Sequence, residues 1–333
     1  MKLIRDIQKM FGMGETRPRS RAKKEKRVRR WEAIEVADQG RRVHGSWYRG
    51  EHTNYHPDRA AIMRGDAVDR YVGLGWFPPS PFITRNQYIT AFGSCFASNV
   101  TKFLHKEGYK VFGRDLGLDA HIIRQGDGIV NTAALLQQFR WAFEDWTPPV
   151  NLWHDKSGDV QNASDRMRDD TRDIFRSTDV FIFTLGLSEV WYDKPSDEIF
   201  WRAIPTSEFD PDRHGFKLLS VEENRRNLRS VREIIRAHRP MAEIIITLSP
   251  VPLAATFRPV SCITANAISK ASLRVAIDDL MREFSEDKRL HYFPSYEMVT
   301  SFLPDPWKDD LRHPSQDAVD MIMQIFKRRY LVV

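Results

Sequence analysis

The chain has 333 residues, 41% apolar and 29% charged, with a formal net charge of +6, as expected of a globular α/β domain with extensions. Its two cysteines, Cys95 and Cys262, give no disulfide framework and suit a reducing compartment. No apolar run reaches the ~18 residues of a spanning helix, and charges interrupt the amino end where a secretory segment would need an apolar stretch. The expected location is therefore cytoplasmic. The positive charge is local: Met1–Arg30 carries 12 Lys/Arg against 3 Asp/Glu, and the remainder carries 39 against 42. Residues 1–45 read as a basic tail, disordered on composition over residues 17–30. Met1–Phe11 has Leu3, Ile4, Ile7, Met10 and Phe11 on one side of a short amphipathic helix. With residues 17–30 it forms a candidate peripheral contact with an anionic inner membrane, a solvated tail being the other reading. Nucleic acid is not an expected partner, because no aromatic residue interleaves with the basic run before Trp31.

Residues 46–84 read as an irregular lead-in packed on the domain that follows, residues 85–333. There, Gln87–Phe92 reads as a strand, Ala97–Lys106 as a helix, Lys110–Phe112 as a short strand and Asn131–Glu144 as a helix. Asp179–Leu185 is an apolar strand, Val221–Ala237 a helix, Glu243–Leu248 a second apolar strand, Ala265–Phe284 a long helix and His291–Phe293 a last strand. The aromatic-rich stretch from Trp191 to Phe216 reads as an excursion, either a lid or a hairpin plug. Continuous apolar strands separated by helices predict a mostly parallel sheet covered on both faces.

Two places carry chemistry. Gly93-Ser94 follows the first strand and precedes a helix, so Ser94 falls at a strand's carboxyl end and a helix's amino end, where backbone N–H groups favour an oxyanion. Serine is also a common N-cap. Near the other end, Asp310 and His313 are three residues apart, and Pro314 keeps His313 out of a helix. A loop carboxylate and imidazole at that spacing supply the base and orienting partner that a serine nucleophile needs. Cys95 is a weaker candidate, since a free cysteine is more often buried filling. His and Cys lack zinc-ligand spacing and the glycines form no phosphate loop, so neither metal nor cofactor is expected.

Gly93-Ser94-Cys95-Phe96-Ala97 and Asp310-x-x-His313-Pro314 together resemble the GSCFA family, related to the SGNH (GDSL-like) hydrolases and acyltransferases. Thr184–Trp191 (Thr-Leu-Gly-Leu-Ser-Glu-Val-Trp), Leu248–Pro252, Asn266–Ala271 and Tyr292–Glu297 resemble further family blocks, in order, from about Pro81 to about Phe326. The resemblance implies a three-layer α/β sandwich of the SGNH-hydrolase type and a serine-dependent esterase or O-acyltransferase. Its substrate would be a small molecule or glycan carrying an acyl ester. Ser94 would be the nucleophile, His313 the base and Asp310 the residue orienting it. The oxyanion would be held by the Ser94 N–H and that of Gly128, or else Gly126. The third block, around Gly186, departs from the wider superfamily in lacking an Asn, so Asn131, Ser188 and the Trp191 indole are the substitutes. Glu189 is a general acid, a substrate partner or a lid ion pair, and Lys270 a substrate contact or a cap on the sheet edge. That altered block also leaves open a non-catalytic glycan-binding or scaffold module.

Overall fold

The computed structural model describes residues 33–36, 41–44, 52–93, 95–113, 128–154, 157–161 and 163–332. Ser94, Gly126 and residues 1–30, with the amphipathic segment and basic run read there, lie outside the described residues, as does the Cys95 side chain. The chain divides into two compact units, residues 1–61 and 62–333. In the first, β1 (Ala33–Val36) and β2 (Arg41–His44) pair antiparallel, Ala33 opposite His44. This hairpin lies within the stretch expected to be tail.

The second unit contains β3 (Tyr88–Phe92), β4 (Lys110–Val111), β5 (Val180–Leu185), a hairpin of β6 (Glu189–Asp193) and β7 (His214–Leu218), then β8 (Glu243–Leu248) and β9 (Leu290–Tyr292). Every residue of β5 and β8 is buried, which an open sheet achieves only when both faces are covered. Five strands form one parallel sheet in the order β4-β3-β5-β8-β9. The longer helices among the described residues are α1 (Cys95–Lys106), α2 (Thr132–Phe143), α3 (Asp165–Ser177), α4 (Val221–His238), α5 (Cys262–Glu283) and α6 (Gln316–Tyr330). The two-residue side-chain period of a strand divides the sheet between them. Phe181, Phe183, Ile244 and Ile246 face a core built with α2, α3, α4 and α5. Val180, Ile182 and Ile245 face a second core with α1 and α6. The fold is thus a three-layer α/β sandwich around a parallel sheet, as the sequence led us to expect. In the first core Phe139 stacks on Phe175 at 4.6 Å and meets Phe183 edge-on at 5.9 Å; burying each such ring stabilises the fold by about 1.5–3 kcal/mol.

Capping side chains fix where the helices start. Ser220 and Glu223 form a reciprocal capping box at α4, and Asn131 and Ser315 cap α2 and α6. The helix α3, which the sequence reading did not pick out, is charged at eight of its thirteen positions and buries only Met167, Thr171, Ile174 and Phe175. Among the described residues, no helix is long and apolar enough to cross a membrane.

The strand order decides where a ligand can sit. From β3 the chain first adds β4 on one side, then crosses to add β5, β8 and β9 on the other. The connection leaving β3 runs to β4 on one side and that leaving β5 runs toward β8 on the other, so the loops at their carboxyl ends part where open α/β sheets bind ligands. Gly93 and Gly186 follow those two strand ends. Gly93 has φ +144°, and a Cβ on it would stand 2.7 Å from the Thr184 Cβ and 2.9 Å from the Ala97 Cβ. Only glycine fits a turn that approaches both the neighbouring strand and the following helix.

Candidate active site

Beyond the carboxyl ends of β5 and β8 lies a cavity of about 390 Å³. One wall is Gly128–Asn131, leading into α2. Another is Gly186–Trp191, leading into the β6/β7 hairpin. The third is the loop from Ser249 to Phe257, with Arg312 beside it. The segment read as a lid or plug is this antiparallel hairpin, Trp191 opposite Phe216 and Tyr192 opposite Gly215. A Cβ on Gly215 would lie 2.4 Å from the Tyr192 ring, so the glycine makes room for the ring across the strand pair.

Asp310 and His313 meet in a tight turn before α6. Asp310 Oδ1 accepts the backbone N–H groups of Arg312 and His313, each at 2.9 Å, and His313 Nδ1 donates to Oδ2 at 2.6 Å. Leu311 takes φ +51° to close the turn. The His313 N–H, its ring and then the Arg312 N–H hold the Asp310 carboxyl well below the usual carboxylate range, so it is ionised and acts only as an acceptor. The proton on His313 therefore sits at Nδ1, leaving Nε2 for proton exchange. Between the two, Arg312 reaches back to donate from Nε to the Pro252 carbonyl at 3.2 Å, tying this turn to the cavity wall.

Asn131 is 2% exposed. Its Oδ1 accepts from the Ala134 N–H at 2.8 Å as the α2 cap, which fixes the amide and leaves Nδ2, unbonded among the described residues, as its donor at the cavity. Gly128 also lines the cavity, and the Arg202 guanidinium lies so close over it that a Cβ would be 2.5 Å from Nη2. Gly186 is a wall without a donor: its N–H goes to the Val130 carbonyl at 2.7 Å and its carbonyl accepts from Lys270 Nζ at 2.6 Å. Ser188 is fully buried behind the wall, where its N–H and hydroxyl bond Ser269 at 2.8 and 3.1 Å.

Glu189 accepts from Thr256 Oγ1 at 2.6 Å and Arg258 Nη1 at 3.2 Å, which straps the 250–261 loop across the hairpin. Trp191 presents its ring: among the described residues its buried Nε1 has no hydrogen-bond partner, and the ring lines the cavity. Lys270 is 1% exposed and donates also to the Ser249 carbonyl, at 2.7 Å. Burial, then nearby Arg312, lowers its ammonium to about 7. Of the residues singled out in the sequence, the structure gathers Gly128, Asn131, Gly186, Glu189 and Trp191 around one cavity and sets Ser188 and Lys270 behind it. Arg312 and the strap loop were missed, although the one adjoins His313 and the other follows the Leu248–Pro252 block. Among the described residues no three His, Cys, Asp or Glu side chains gather as a metal site.

Residues 88–326 match the model of the GSCFA family. The chain belongs to the GSCFA family. The match runs from β3 into α6 and so takes in every strand of the parallel sheet. A comparison with curated proteins found no match. Among solved structures, this GSCFA protein is similar to a carbohydrate esterase family 3 protein from Talaromyces cellulolyticus, at 12% identity over 72% of this chain and 93% of that one, with a TM-score of 0.34. It is also similar to a family two carbohydrate esterase from Cellvibrio japonicus, at 13% identity over 73% and 60% of the two chains, TM-score 0.34. A third is a salicylyl-acyltransferase from a tetracycline biosynthetic pathway, at 12% identity over 73% and 53%, TM-score 0.34.

Proposed function

We propose that this GSCFA protein is a serine-dependent esterase or O-acyltransferase that carries the acyl group on Ser94. The observation that supports this most is the Asp310–His313 pair, joined at 2.6 Å, on a turn whose Arg312 lines the same cavity as Asn131. His313 Nε2 takes the proton of the Ser94 hydroxyl as its oxygen attacks the ester carbonyl. Asp310 holds the tautomer and stabilises the imidazolium. The tetrahedral oxyanion accepts from the Gly128 N–H and Asn131 Nδ2; each such donor is worth roughly 10²–10³ in rate. His313 then hands its proton to the leaving alcohol, and water or an acceptor hydroxyl discharges the acyl-enzyme by the reverse sequence. The family resemblance supports a carbohydrate or glycoconjugate on the alcohol side.

The test is labelling with a fluorophosphonate followed by peptide mass spectrometry. An adduct on Ser94, absent in Ser94→Ala together with turnover of a small acyl ester, is the expected result. Turnover that survives Ser94→Ala overturns the proposal, and glycan binding without any adduct favours a non-catalytic module instead.

A further inference from the structure

We propose that the cavity holds the acyl side of the substrate and is built for an apolar chain longer than acetyl; this rests on the esterase reading above. At about 390 Å³ the cavity lies in the size range of whole-ligand sites, and acetyl would leave most of it empty. Its surface is dominated by Val130, Val190, Trp191, Phe216, Leu253 and Phe257. Asn131 and the Arg202 guanidinium beside Gly128 add polar groups at one wall; on the others, most polar groups are engaged. Glu189 is held by Thr256 and Arg258, the Gly186 N–H by Val130, and Ser249 Oγ accepts the Val251 N–H at 3.3 Å. The Trp191 N–H is buried off the surface. A sugar ring pressed into such walls would lose hydration at its hydroxyls with few partners in return. An alkyl chain instead gains roughly fourfold in binding per methylene buried.

The mouth fits the same occupant. Phe257 and Phe209 are 57% and 46% exposed and pack edge-on against Trp191 at 4.9 and 5.5 Å. An amphiphile entering acyl end first past these rings meets apolar side chains, while its alcohol stays in water. On this arrangement the sugar of a glycoconjugate lies outside the cavity, and chain length is read by the walls.

Two measurements on the full chain decide this. The first is kcat/KM over p-nitrophenyl esters from acetate to decanoate. The second is equilibrium binding of a dansyl-labelled undecanoate to Ser94→Ala, which needs no chemistry. The expected results are a rise of roughly fourfold per methylene to at least octanoate and saturable binding displaced by octanoate. Ala255→Trp, filling the cavity, lowers the octanoyl-to-acetyl ratio at least tenfold; Phe257→Ala, opening it, extends the longest chain accepted. A preference for acetate, or no dansyl binding while the fluorophosphonate still labels Ser94, overturns the acyl-chain pocket and leaves the esterase reading standing. Saturable dansyl binding without ester turnover or labelling upholds the pocket and overturns the esterase reading.

Discussion

Asp310 holds His313 twice, taking its backbone N–H at 2.9 Å and its ring Nδ1 at 2.6 Å. The carboxylate thus shapes the turn and sets the tautomer together. Asp310→Asn keeps an acceptor for the backbone but faces an amide N–H toward Nδ1, favouring the wrong tautomer. We expect kcat on a small ester to fall roughly 10²–10⁴-fold while the near-UV circular dichroism stays native. A variant retaining more than a tenth of wild-type kcat would remove Asp310 from the mechanism.

Gly93→Ala tests the turn that delivers Ser94. The new Cβ would meet the Thr184 carbonyl oxygen at 2.8 Å as well as two Cβ atoms, at φ +144°. Strain and overpacking together make a loss of about 2–5 kcal/mol in stability the expectation, seen in urea unfolding as a lowered midpoint at unchanged slope. An unchanged midpoint would mean that this close approach does not exist in solution.

Glu189→Gln should loosen the strap without unfolding the domain. A glutamine meets Arg258 Nη1 only as a neutral acceptor and turns Thr256 Oγ1 from donor to acceptor, and losing the charge assistance costs about 1 kcal/mol locally. Chymotrypsin provides the readout, since Phe257 is 57% exposed: cleavage after it should accelerate several-fold in the variant. Equal cleavage rates would show that other contacts hold the loop.

Lys270 links stability to pH. Burial lowers its ammonium to about 7 from an ordinary 10.5, so between those values the unfolded chain binds a proton that the folded chain releases. Stability then rises with pH across that window, by up to about 1.4 kcal/mol per unit. Lys270→Met removes this slope and leaves the Gly186 and Ser249 carbonyls without their donor. The variant should be destabilised by about 2–4 kcal/mol near pH 9, and by less at pH 6. A deficit independent of pH would show that Lys270 stays charged across the whole window.

The fold was legible where burial is uniform. β5 and β8 are apolar at nearly every position and mark themselves as inner parallel strands, and the helix read from Asn131 starts at the residue that caps it. The helix α3 escaped because eight charges mask a stripe of four buried residues. The β6/β7 hairpin was read only as one of two alternatives, a lid or a hairpin plug, because its pairing partners are separated by a long connection. The Asp310–His313 spacing foretold its contact, since a three-residue turn brings the two side chains together whatever surrounds it. The parts played by Gly186, Ser188 and Lys270 could not be foretold, because they depend on which carbonyl or hydroxyl lies across the sheet edge. Ser188 and Ser269 are 81 residues apart, and nothing local in either motif reports the other.

One consequence of the Lys270 arrangement is mechanical. A single ammonium grips the chain where it leaves β5, at Gly186, and where it leaves β8, at Ser249. The hairpin and the strap loop are therefore hinged on a common pin, and a substrate cannot push one aside without loading the other. Residues 128–131 and the 310–313 turn are joined to that frame as well, by the Gly186 N–H to Val130 bond and the Arg312 Nε to Pro252 bond. Accommodation of a larger substrate would then shift the proposed oxyanion donors and base, so that fit in the cavity is felt directly at the reacting atoms.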